Sequence, residues 1–199
     1  LAGNGVIRGR ASEVVRSFAR RLQIPVLHTF MAKGVLPDSD PLSLYTIGLQ
    51  ARDYAAVVME QADVVIALGY DFVEYAPCFW NQHHDKRIVH VDASPAEVDE
   101  HYIVEVGVLG DLRLSLDRIG EKVTPFDSLW ARDARKTVID GFEAELAGAP
   151  AWPLRPQHVM RDLRAVLQPD DLVVCDVGVH KLWMARMFPC EVPNSCIIS

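Results

Sequence analysis

The chain has 199 residues, half of them hydrophobic, with a formal net charge of −7. A chain of this length buries one substantial core, since domains run to roughly 100–200 residues. Its acidic balance withholds the basic surface that nucleic acid or an anionic membrane needs, and no apolar run approaches the roughly 20 residues of a spanning helix, so neither partner is expected. The start LAGNGVIRGR has neither the apolar core nor the cleavage region of a signal peptide, which makes the cytoplasm the expected location. Cys78, Cys175, Cys190 and Cys196 lack the close paired spacing of a zinc site and are expected as free thiols. Cys190 and Cys196 could close a small loop if oxidised. His83 and His84 beside Asp85 are adjacent residues whose side chains diverge, which favours a solvated loop over a metal site.

In chain order, LAGNGV reads as the second half of a strand entering a glycine turn. Val14, Val15, Phe18, Ala19 and Leu22 recur at helical spacing behind Ser12, a candidate N-cap. IPVLHTF is a short strand, and MAKGVLPDSDPLSLYTIGLQ, rich in Gly, Pro and Asp, reads as a long surface loop at its carboxyl end. RDYAAVVMEQ is helical. ADVVIALGY, KRIVHVDAS and VEVGVLGDL are near-continuous apolar runs of the kind that parallel strands show when both faces are covered. Such alternation predicts an α/β, Rossmann-like parallel sheet with helices on both faces. This central unit is assigned to residues 1–124. A linker helix, SLWARDARKTVIDGFEAELAG, and a proline-rich joint follow over 125–154. Over 155–199 the alternation restarts with a helix, a buried strand DLVVCDVG and a further helix; too few residues remain for a second full α/β domain, and the tail is expected to be held loosely.

Candidate chemistry gathers at glycine turns. Gly3, Gly5 and Gly9 can expose N–H groups to an anion, although a tight turn explains them equally well. Asp92 and Asp111 stand at strand ends, where an acidic side chain either accepts a ribose hydroxyl or caps a helix. Asp38, Asp40, Asp71 and Glu74 read as solvated loop carboxylates. Gly178, at the strand-to-helix junction DVGVH, is either a phosphate turn or an ordinary strand-to-helix turn with His180 as a cap.

Three stretches, TFMAKGVLPDSDPLSLYTIGL, ADVVIALGYDFVEYAPCFWN and RIVHVDASPAEVDEHYIVEVGVLGDL, resemble in order and spacing the central domain of thiamine-diphosphate-dependent enzymes of the acetolactate synthase group. DVGVHKLWMARMF is similar to the start of that family's diphosphate-binding third domain. The segment GYDFVEY is closest to the catabolic, flavin-independent members. The resemblance implies a larger cytoplasmic enzyme, a homodimer or homotetramer with the cofactor between subunits, that decarboxylates pyruvate and condenses it with a second pyruvate to 2-acetolactate. Roles in branched-chain amino acid biosynthesis or in acetoin formation are both implied by the group. Thiamine diphosphate serves there as the electron sink.

The resemblance also implies that Gly178, Val179 and His180 contact the cofactor diphosphate, that the activating glutamate lies in a preceding domain, and that the Gly-Asp-Gly…Asn run for Mg²⁺ lies beyond Ser199. No catalytic residue or metal ligand is therefore expected within the chain, which would be inactive alone. Val179 replaces the glutamine common in biosynthetic members. Flavin is the point of departure: relatives that bind FAD carry an arginine two positions after the strand-end glycine, where this chain has Asp71, and often His-Gly after Gly48-Leu49, where it has Gln50-Ala51. Gly3, Asp92 and Asp111 would mark a vestigial or possible FAD cleft, but FAD itself is not expected, with Asp71 as the repelling charge. The competing readings are another thiamine-diphosphate enzyme, such as a pyruvate oxidase, carboligase or acetyltransferase, and a non-catalytic FAD- or NAD-binding regulatory module.

Overall fold

The apolar runs do become parallel strands. The computed structural model describes residues 1–49, 53–125, 129–148 and 152–199. After the opening residues come α1 (Asn4–Arg8), α2 (Ser12–Leu22), β1 (Val26–His28), a 3-10 turn (Phe30–Ala32), β2 (Ser43–Thr46), α3 (Tyr54–Glu60) and β3 (Val64–Leu68). A second 3-10 turn (Pro77–Phe79), β4 (Arg87–Asp92), β5 (Val104–Leu109), α4 (Leu112–Lys122) and the long α5 (Leu129–Leu146) follow. Last come α6 (Pro156–Val166), β6 (Val173–Cys175), α7 (Val179–Met187) and β7 (Cys196–Ile198).

β1 pairs in parallel with β2, and β3, β4 and β5 pair in parallel in that order. Ala2 bridges in parallel to His28 on one side and to Leu68 on the other. The opening residues thus stand between β1 and β3 and join both parts into one sheet, as the strand reading of LAGNGV anticipates.

Strand side chains alternate between faces. Leu68 and Val91 meet Val15, Phe18 and Leu22 of α2 and Leu112 and Leu116 of α4. Val65, Ala67 and Ile88 meet Val58 and Met59 of α3 and Ala134 and Val138 of α5. Both faces are covered over β3 and β4, and the α/β fold expected from the alternation is present; the edge strand β5, expected to be covered as well, is mostly exposed, with Leu109 at 65%.

Local expectations fare less evenly. Ser12 opens α2 rather than capping it; the cap position falls to Ala11, without a side-chain hydrogen bond. The stretch expected as a surface loop after β1 is largely buried and contains β2, whose residues are all buried. Polar and proline content suggested solvent, but the segment runs beneath α5 and α7, and Asp38, Asp40, Ser43 and Thr46 find protein partners there. The run expected as a buried strand near the end, β6, has one covered face only, since Val174 is 70% exposed.

The segment from Pro156 onward, expected to be held loosely, packs its own apolar cluster onto Phe30 and Leu49 of the central unit. Phe188, Cys190 and Ala185 are fully or nearly fully buried in it.

Candidate functional site

Two glycine turns stand at carboxyl ends of strands, and a buried polar hub lies between the central sheet and α7. The first turn joins the opening residues to α1. Gly3 donates its N–H to the Leu68 carbonyl at 2.9 Å, which locks the turn onto β3. The Asn4 N–H, the first free donor of α1, points at the Glu74 carboxylate, 2.9 Å from Oε1 and 3.1 Å from Oε2. The Thr29 hydroxyl donates to the same carboxylate. Burial pushes the Glu74 carboxyl above its ordinary range, against the pull of the Thr29 and Asn4 hydrogen bonds.

A carboxylate expected in solvent is thus 5% exposed and occupies the anion position of the turn. Asp71, expected to be the charge that decides the matter, is exposed and folds its side chain back onto the Val73 N–H at 3.0 Å.

The other candidates at this edge are accounted for within the chain. Asp92 Oδ1 accepts from the Ser94 N–H at 2.9 Å, a local turn. Asp111 is the N-cap of α4 and accepts from the N–H groups of Arg113 and Leu114. Gly3, Asp92 and Asp111 therefore share the sheet's carboxyl edge, but each already has a structural partner. The residues that differ from the flavin pattern at Gln50-Ala51 lie outside the described residues.

The second turn leads from β6 into α7. Gly178 is the N-cap, with φ of 151°, and no side chain caps the helix. A Cβ on Gly178 would lie 2.7 Å from His180 Cε1, so the His180 ring lies against the turn only because glycine stands there. Gly178, Val179 and His180 are all exposed. Asp176 turns its carboxylate onto the Val177 N–H at 2.7 Å and so leaves the next donors uncapped. The groups present fit a diphosphate: an open helix N-terminus, a glycine that admits close approach, and an imidazole able to donate.

The hub is the feature the sequence concealed. Asp38 and His28 are each 0% exposed, and Lys33 is 2% exposed. Asp38 accepts from His28 Nε2 at 3.2 Å, Ser43 Oγ at 3.1 Å and the Cys190 N–H at 2.8 Å, with Lys33 Nζ at 3.9 Å. Burial alone would raise its carboxyl; the Lys33 ammonium, His28 and the Cys190 N–H outweigh that and hold it below the ordinary range. Asp40, also buried, is paired with Arg20 at 2.8 Å. These carboxylates had no signature in sequence, because a Pro-Asp-Ser-Asp-Pro run reads the same whether solvated or walled in by neighbours. Lys33 carried the one usable hint, a lone cation amid small and apolar residues.

Cys78, Cys175, Cys190 and Cys196 are free. His84 stacks on His101 with centroids 4.6 Å apart, and no group of three or more His, Cys, Asp or Glu among the described residues could hold a metal ion. No described helix is long and apolar enough to cross a membrane. A cavity of about 620 Å³, lined by Leu1, Ile24, Leu27, Val64, Ile66 and Trp130 among others, opens at the amino ends of the strands, away from every candidate residue.

A parallel sheet with helices on both faces and glycine turns at its carboxyl edge is the architecture of a nucleotide-fold domain. The chain belongs to the thiamine pyrophosphate enzyme central-domain family, whose model matches residues 1–119. It is 31% identical to the acetolactate synthase of Bacillus subtilis over 199 residues, 96% of this chain and 35% of that protein. It is 28% identical to the probable acetolactate synthase large subunit of Methanocaldococcus jannaschii, over 100% of this chain and 35% of that protein. Against the acetolactate synthase large subunit of Corynebacterium glutamicum the identity is 31%, over 99% of this chain and 32% of that protein. The chain thus spans about a third of the length of these relatives.

Proposed function

We propose that residues 1–124 are the central domain, 125–154 the connecting helix and joint, and 155–199 the leading edge of the diphosphate-binding domain of a thiamine-diphosphate-dependent acetolactate synthase. The observation that carries this reading is the uncapped, exposed Gly178 turn at the head of α7, on a chain that matches acetolactate synthases along nearly its whole length. In this reading the N–H groups following Gly178 and the His180 ring bind the cofactor diphosphate, and Val179 contributes backbone alone. Thiamine diphosphate, when bound, supplies an electron sink for decarboxylation and carbon–carbon bond formation. The chain's own residues bind and orient; the groups that move protons and hold Mg²⁺ are contributed from outside these residues, so the chain alone is inactive.

The full-length enzyme decarboxylates pyruvate and condenses it with a second pyruvate, acting in the cytoplasm as a homodimer or homotetramer without nucleic acid or membrane. FAD is not a ligand in this reading. Glu74 supports that exclusion: its carboxylate already fills the first turn, where a dinucleotide phosphate would need the same N–H group. The charge responsible is then Glu74 rather than Asp71.

The test is acetolactate formation from pyruvate by the full-length protein with Mg²⁺, with and without thiamine diphosphate, and an absorbance scan near 450 nm on purified material. Cofactor-dependent 2-acetolactate and no flavin band is the expected result. A protein that carries stoichiometric flavin and oxidises pyruvate would move the assignment to the oxidase branch. One that ignores thiamine diphosphate would be a nucleotide-binding module instead.

A further inference from the structure

The segment that follows β1 touches α7 at both ends of the helix. Near its start, Lys181 Nζ lies 4.7 Å from the centre of the Phe30 ring. In its last turn, the Ala185 carbonyl accepts from Lys33 Nζ at 2.9 Å. Lys181 and Ala185 are four residues apart and therefore one above the other on one helix face. Lys33 is itself fixed, by Thr46 Oγ1 at 3.3 Å and by Asp38 at 3.9 Å. Asp38 is in turn fastened to the chain just beyond α7, accepting from the Cys190 N–H, while its own N–H donates to the Cys190 carbonyl at 2.9 Å.

Gly34 completes the cradle. Its φ is +80°, and a Cβ there would lie 2.3 Å from the Val192 carbonyl oxygen, so the backbone after α7 lies flush against this loop. A separate ion pair, Arg186 Nε to Asp53 Oδ2 at 3.6 Å, steadies the other side of the helix.

We propose that Lys33 is a positioning residue for the diphosphate turn: by gripping the carboxyl end of α7 from within the central unit, it sets the height and tilt at which Gly178 presents its N–H groups at the other end. Lys33 is too deeply buried to meet solvent. A cation at the helix carboxyl end also satisfies a last-turn carbonyl and complements the helix dipole. A buried lysine is costly unless paired, and Asp38 supplies the pair. The central unit in this view aims a helix whose far end binds the cofactor, rather than binding a nucleotide itself. The inference rests on the thiamine-diphosphate reading above.

The test uses the full-length enzyme with Lys33→Met and with the double variant Lys33→Met/Asp38→Asn, which removes both charges together. Thiamine diphosphate affinity is measured by quenching of intrinsic fluorescence, kcat at saturating cofactor, and folding by thermal unfolding. The expected result is a thiamine diphosphate Kd raised about tenfold or more in both variants. In the double variant kcat at saturation stays within about twofold of the parent, and the unfolding temperature recovers toward it. A double variant that folds and binds thiamine diphosphate with unchanged affinity overturns the positioning role. If neither variant folds, Thr46→Val, which removes one Nζ partner without unbalancing charge, decides: a two- to fivefold rise in Kd supports the role and no change overturns it. Failure of the unmodified enzyme to bind thiamine diphosphate would instead overturn the functional assignment on which the inference rests.

Discussion

The two strand–glycine–helix turns began as the same sequence signal and ended as opposites. At the head of α1 the free N–H of Asn4 is satisfied by Glu74, 70 positions away in sequence. At the head of α7 no side chain caps the helix, and the glycine is exposed. A glycine turn makes donors available; whether they serve a ligand depends on what the rest of the chain brings to them. The first turn is closed by the protein's own carboxylate, and the second is open to an external anion.

Both turns sit on one body, and Asp38 is one of the groups that join them. Asp38→Ala strands Lys33, His28 and the Cys190 N–H, and is expected to cost about 3–5 kcal/mol in denaturant unfolding, the largest effect of any change considered. A loss below 1 kcal/mol would show that the Asp38 contacts contribute little to holding the chain after α7.

Gly178→Val attacks the open turn directly. It forces a β-branched residue into a left-handed φ and against the His180 ring, at a cost of about 1–3 kcal/mol, read as a fall in thiamine diphosphate affinity of roughly tenfold to a hundredfold. Unchanged affinity would remove the turn from the cofactor site.

Glu74→Ala tests the closed turn. It leaves the Asn4 N–H and Thr29 hydroxyl without their acceptor and is expected to cost about 1–3 kcal/mol in urea unfolding, with thiamine diphosphate affinity unchanged. The two buried carboxylates also predict opposite pH signatures. The raised Glu74 carboxyl favours the folded state most below its ordinary value of 4.5, and that contribution is lost as pH rises through its folded value. The depressed Asp38 carboxyl favours the folded state above its ordinary value of 3.8, and that contribution is lost as pH falls through its folded value. Stability profiles of Glu74→Gln and Asp38→Asn should each flatten one of these limbs; an unaltered profile in either would mean that the carboxyl is not held as described.

The smallest effect is expected for Asp111→Ala. This removes an exposed cap from α4, so the unfolding midpoint should fall less than in Glu74→Ala, and neither cofactor affinity nor flavin content should change. A gain or loss of ligand binding there would make Asp111 a binding residue.

The alternation of apolar strands with amphipathic helices was legible because it depends on local periodicity: ADVVIALGY and KRIVHVDAS could bury both faces only in a covered parallel sheet. Asp111 as a cap was one of two readings open in sequence, and the structure shows the cap. The run after β1 was misread because its prolines and aspartates signal solvent on average; here α5 and α7 roof it over, and Arg20, Lys33 and His28 neutralise or bond the carboxylates. Glu74 departs from the solvated reading for the same reason: it is 5% exposed, with Asn4 and Thr29 as its partners.

By itself, then, the sequence determined the α/β class, most element positions, the glycine junctions and the family, because each depends on neighbours within a few turns or on order along the chain. Only the tertiary structure decided which junction is filled from within and which stays open, and that Lys33 holds α7 while Asp38 holds the chain just beyond it. Those outcomes turn on contacts between residues 70 to 152 positions apart, where burial and pairing, not local pattern, set the energy of a charge.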